Sequence, residues 1–212
     1  MINTAADPNE HFGYLACLAK TWGILRDYWF VLMLGAFLRD LVSILPAVLV
    51  FALFLDFRGW NIAIALVVGC VIWSGLQAGY IKFCLHICRH RQVNWQTLFS
   101  CLPFCFQMFC ATTCLWVSVA LGLVFLIVPG LIIAAKFSLY GLALTDQKLG
   151  PLKSLLSSYR MLKGFTWCAI GLLLIYFIGC AAFSWLSLAF HTFLIISLCI
   201  LYEHIRMQES TR

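Results

Sequence analysis

Charge is what this chain has least of. Lys and Arg number 14 and Asp and Glu 8 among 212 residues, 10% in all, against about 25% in a soluble domain. A water-facing surface cannot be built from so few charges, so lipid is the solvent for most of the chain. Sustained alternation of apolar and polar residues is also missing, which excludes the strands of a membrane barrel. In lipid, backbone amides must then be satisfied within their own segments. The fold class that follows is all-α, a polytopic transmembrane helical bundle. The N-terminal MINTAADPNEH lacks a basic stretch before a short apolar core, so it does not read as a cleavable signal peptide. A phosphate-binding glycine loop, a metalloprotease helix and a nucleophile elbow are all lacking. The expectation is a protein that is not an enzyme, with no catalytic residues, no metal and no cofactor.

Apolar residues are what the chain has in excess, at 64% with a mean hydropathy of +0.99. They fall into six candidate spans, at about residues 30–55, 61–86, 103–128, 131–146, 165–183 and 187–204. Together they make a membrane domain over 28–206. Before it, residues 1–27 form a cytoplasmic N-terminus with an amphipathic interfacial helix, in which Phe12, Leu15, Trp22 and Leu25 share a face; after it, 207–212 are a cytoplasmic tail. The dipeptide Pro129-Gly130 reads as a tight outer turn. The span 131–146 that follows would be roughly 24 Å long, short for a hydrocarbon core of about 30 Å. Residues Phe165–Ile205 carry no charge before Glu203 and, as one helix, would run to roughly 60 Å, so they must fold back, near Phe183–Ser187.

Positive charge supports this count. With the N-terminus inside, ten of the 14 Lys and Arg face the cytoplasm, Arg58 alone lies in an outer loop, and Arg39, Lys82 and Lys136 fall within spans. Such a bias places both termini in the cytoplasm. It also accounts for the net charge of +6, so nucleic acid is not an expected partner.

The charges inside spans are the candidate site residues. Arg39 and Asp40 either line a polar path or clamp a lipid phosphate, or else they lie in the interface with the span beginning near Leu41. Lys82 is expected to snorkel. Lys136 either snorkels to the outer surface or pairs with Asp40, and Asp146 caps its helix or pairs with Lys148. Residues 151–163 place Leu152, Leu155, Leu156, Tyr159 and Leu162 on one helical face, with Lys153, Arg160 and Lys163 away from it. That pattern suits an in-plane helix whose three cations meet anionic headgroups. The eleven cysteines avoid the outer loops, where disulfides would be permitted. Cys84/Cys88 and Cys101/Cys105 are i, i+4 pairs beside His86 and His90, whereas zinc sites more often show C-x₂-C spacing. They read as small polarizable packing residues. His191 with Thr192 reads as a helix-packing hydrogen bond.

Several short elements carry a resemblance. They are Gly79 in a span, the basic turn Arg89-His90-Arg91, Trp95 through Leu98-Phe99, Pro129-Gly130 opening a span with Asp146 near its end, Gly150-Pro151, Ser158, Lys163-Gly164, and Tyr202 before Arg206. In these the chain resembles bacterial inner-membrane proteins of the YciC-like type, a family related to the membrane domain of glycerophosphodiester phosphodiesterases. The resemblance would cover about residues 14–206. It implies a membrane module of the bacterial inner membrane without enzymatic activity, since in the two-part enzymes the chemistry belongs to a separate soluble barrel. The expected function is non-enzymatic, through contacts with membrane lipids, with a homo-oligomeric copy or with other membrane proteins. A small transporter or channel subunit is the alternative, and a lipid-modifying enzyme ranks behind it.

Overall fold

A computed structural model describes residues 14–53, 59–125, 127–182 and 186–210. Among them every regular element is helical. In chain order they are α1 (Tyr14–Leu53), α2 (Gly59–His90), α3 (Gln96–Phe99), a 3₁₀ turn (Leu102–Phe104), α4 (Cys105–Phe125), α5 (Ile127–Lys136), α6 (Tyr140–Gln147), α7 (Pro151–Met161), α8 (Thr166–Ala182) and α9 (Ser187–Ser210). Four stretches are long and apolar enough to cross a bilayer: Leu15–Leu45, Leu66–His90, Gln96–Gly122 and Ser187–Gln208. A fifth joins them if α7 and α8, bent by 108° to each other, count as one. The chain is therefore a multi-pass membrane protein.

The core is built around α2 and α9. Tyr80, Phe83, Leu76 and Ile87 of α2 and Ile196, Leu201 and Tyr202 of α9 are fully or almost fully buried, whereas Phe30, Phe106, Trp116 and Trp167 stay exposed to the lipid side. α1 is one long helix broken at Tyr28 (φ −119°, ψ 16°). There the Tyr28 hydroxyl donates to the Arg91 carbonyl oxygen at 2.6 Å, and Arg91 itself ends α2 in the left-handed region (φ 54°). Before that break the packed residues are Cys17, Thr21, Ile24 and Leu25, while Leu15 and Trp22 face outward. The apolar face expected for residues 12–27 is thus divided between protein and lipid. Phe12 lies outside the described residues.

Two expectations about the middle of the chain are corrected. Pro129-Gly130 is not a turn, because α5 already begins at Ile127. Proline is tolerated there because the first four N–H groups of a helix have no intrahelical partner. Residue 126, between α4 and α5, lies outside the description. The helices on either side approach so closely that a Cβ on Gly122 would meet Gly130 Cα at 2.8 Å. Nor is 131–146 a single helix, since α5 stops at Lys136 and α6 starts at Tyr140. The expected turn near Phe183–Ser187 falls largely on residues 183–185, also outside the description.

The break between α5 and α6 is held by Ser158, a buried side chain on α7. Its hydroxyl donates to the Lys136 carbonyl oxygen (2.9 Å) and accepts the Leu139 N–H (3.1 Å). Both backbone groups would otherwise be orphaned inside the protein. Ser158→Ala should therefore destabilise the fold by about 1–3 kcal/mol, read as a lower thermal midpoint in detergent. An unchanged midpoint would mean that the break satisfies itself. Beyond α7 the chain turns into α8 at Gly164 (φ 109°), a left-handed conformation that glycine adopts without cost.

Candidate functional site

Two contacts set α2 and α9 parallel and in register. Gln77–His191 and Arg89–Glu203 are each 114 residues apart in sequence. Along either helix the two levels are separated by 12 residues, roughly 18 Å at the helical rise. They carry different chemistry.

The deep level is a buried polar network centred on Arg39, which is only 4% exposed. Its Nε donates to Asp40 Oδ1 at 2.8 Å, with Nη2 2.7 Å from the same oxygen. Nη1 donates to Gln77 Oε1 at 2.6 Å and lies 3.3 Å from His191 Nδ1. The guanidinium also stacks on Tyr80, 5.2 Å from its ring centroid. The Tyr80 hydroxyl in turn donates to the Leu32 carbonyl oxygen (3.2 Å) and lies 3.0 Å from Thr192 Oγ1. A guanidinium suits this place because its planar fork reaches several acceptors at once. The Arg39 side chain is enclosed between α1, α2 and α9, with α1 helical on both sides of it. Asp40 is held by its neighbour Arg39, so the expected Lys136–Asp40 pair does not form.

The second level, at the ends of α2, α6 and α9, is an ionic cluster with Asp146 at its centre. Arg89 donates to both carboxylate oxygens (2.7 and 3.0 Å), and Arg206 (2.5 Å) and Tyr202 (2.9 Å) donate to Oδ2. Glu203 Oε1 accepts from Arg89 Nε and Nη2 at 2.9 and 2.6 Å. Asp146 thus neither caps α6 nor pairs with Lys148, which instead ends α6 in the left-handed region (φ 51°). Two arginines and two carboxylates balance here, and the cluster ties three helices together.

α7 has three faces rather than two. Gly150 is extended before it, and Pro151 takes the first helical position, where a missing N–H costs nothing. Ser154, Leu155, Ser158, Met161 and Leu162 are buried against the bundle, while Leu152, Leu156 and Tyr159 are exposed on a second stripe. Lys153 and Arg160 form the third, and Lys163 follows the helix, also exposed. Lys136 reaches toward α7. Its Nζ lies 3.4 Å from the Tyr159 hydroxyl and 4.4 Å from that ring's centroid. The carboxylates of Asp27, Asp40, Asp146 and Glu203 all face arginines. None of these four carboxylates forms a salt bridge with Lys136, Lys153, Arg160 or Lys163. Lys82 differs, because its Nζ donates to Ser100 Oγ at 3.1 Å.

Comparison with protein-family models, with curated proteins and with solved structures finds no match for this chain. Both sites are accordingly read from its own residues. Among those described, no group of three or more His, Cys, Asp or Glu is placed to hold a metal ion. Cys17, Cys84, Cys101 and Cys199 are buried, in keeping with a packing role.

Sequence reasoning missed Gln77, Tyr80 and His191 as partners of Arg39, and Arg89 and Tyr202 as partners of Asp146. One signal was available for the first set. Gln77 and Tyr80 are polar groups at i, i+3 inside an apolar run, a spacing that puts both on one helical face. The serines at 154 and 158 lie on the face of α7 turned to the protein.

Proposed function

We propose that this chain is a non-enzymatic protein of the bacterial inner membrane, of the YciC-like kind, acting through lipid contacts and through contacts with a second copy or another membrane protein. Six crossings suit it, with α5 and α6 together making a broken one and α8 the fifth. Both termini then lie in the cytoplasm, where the excess of Lys and Arg belongs. α7 carries the reading. A helix with one face on the bundle, an apolar stripe and a cationic stripe fits a position in the interface plane, its leucines among acyl chains and its charges at anionic headgroups. Neutralising Lys153, Arg160 and Lys163 together to glutamine should lower the anionic lipid that copurifies with the protein, measured by mass spectrometry. Unchanged lipid content would remove this reading.

A second reading, a small transporter or channel subunit, is favoured by the Arg39–Asp40–Gln77–His191 network, since charges at such depth often border a polar path. Ion or solute flux in proteoliposomes of the wild-type protein would support it. Its absence from a folded preparation would leave the network a structural role.

A further inference from the structure

We infer that Lys136 and Tyr159 form a seat for the phosphate of one anionic phospholipid of the cytoplasmic leaflet. This rests on the lipid reading of α7 and names the contact that recognises the headgroup. Lys136 ends α5, and its carbonyl oxygen is fastened to α7 through Ser158. The side chain is thereby carried to α7, where Nζ meets the Tyr159 ring and hydroxyl. An ammonium has three donors, and the single hydrogen bond formed here, at 3.4 Å, is a long one. Phe137 adds a second aromatic wall, its ring 6.3 Å from that of Tyr159.

The surroundings select the occupant. An unpaired ammonium at the edge of hydrocarbon is costly, and a phosphate oxygen would take its free donors together with the Tyr159 hydroxyl. Arg160 lies one residue along α7 and Lys163 one turn further. With Lys153 they supply an excess of positive charge that favours a net anionic headgroup over a zwitterionic one. Leu152 and Leu156, exposed by 73% and 51%, offer the acyl chains an apolar stripe. A free phosphate would gain nothing from them.

The full chain in nanodiscs of mixed phosphatidylglycerol and phosphatidylethanolamine, released and weighed by native mass spectrometry, tests the seat. The wild type should retain phosphatidylglycerol selectively. Lys136→Gln and Tyr159→Phe should each weaken that retention about tenfold, the loss of one hydrogen bond to a charged group, whereas Lys136→Arg should keep most of it. Tyr159→Phe preserves the ring, so it remains informative if Lys136→Gln folds poorly. If both variants hold the lipid as the wild type does while the α7 triple variant loses it, the seat is overturned and the broader lipid reading stands. If the triple variant also keeps it, both fall. Displacement of the lipid by excess inorganic phosphate would overturn the phospholipid as occupant.

Discussion

Gly79→Ala should be among the most damaging single substitutions in this protein. A Cβ at that position would lie 1.8 Å from the Leu98 carbonyl oxygen and 2.8 Å from its carbon. The obstacle is backbone, which cannot rotate away as a side chain can. α3 and the following 3₁₀ turn would have to shift as a unit, and they are anchored on the same seam. Ser74 Oγ lies 3.2 Å from the Cys105 carbonyl oxygen, Lys82 bonds Ser100, and a Cβ on Gly75 would meet Cys105 Cβ at 2.6 Å. Overpacking of cores typically costs about 1–3 kcal/mol, and a clash with backbone belongs at the top of that range or beyond. A thiol-reactive dye reporting the buried Cys84 and Cys199 should show a thermal midpoint lower by on the order of 5–10 °C. Gly23→Ala is the matched control. Nothing lies within 4 Å of a Cβ there, and alanine is the better helix former by about 1 kcal/mol. Equal midpoints for the two variants would mean that the Gly79–Leu98 approach is not a fixed feature of the folded protein.

Arg39→Met should destabilise the protein by about 1–3 kcal/mol, the cost of leaving the polar groups around the guanidinium without their partner. The orphan is Asp40, whose side chain is 38% exposed on a surface otherwise made of Phe37, Leu41, Ile44 and Leu45. Gln77 and His191 would lose their shared partner as well. The double change Arg39→Met/Asp40→Asn should recover much of the loss, because replacing a buried pair with neutral groups is often close to neutral overall. Arg39→Lys should behave more like Arg39→Met than charge conservation suggests. A single ammonium cannot reproduce the fork that spans Asp40 and Gln77. Thermal midpoints of the wild type, Arg39→Met, Asp40→Asn and the double variant form a cycle that isolates the pair. A double variant no more stable than Arg39→Met would show that Asp40 is not what makes the arginine necessary.

Much of the architecture was legible from one kind of information, the distribution of apolar and charged residues. Scarcity of charge specified the solvent, and the solvent specified helices. Helix boundaries near Gly150-Pro151 and after Pro103 were readable because proline and glycine act locally. The same local rule failed at Pro129-Gly130. A proline in the first turn of a helix and a proline in a tight turn satisfy the backbone equally well, and only the close approach of Gly122 to Gly130 decides between them. The interruption at residues 137–139 had no local signal either, since it depends on a serine about 20 residues later.

By itself the sequence determined the class of protein, the cationic stripe of α7 and the presence of a few charges too costly to be incidental. It could not determine their partners. Arg39 found Gln77 and His191, Asp146 found Arg89 and Arg206, and Lys136 found Tyr159 rather than Asp40. Each of those choices spans between 23 and 152 residues of chain. Hydrophobic periodicity says which side of a helix faces inward but nothing about which level of a neighbouring helix it will meet. That level is set by the register of α2 against α9 and by the breaks at Tyr28 and 137–139, which only the packed bundle fixes.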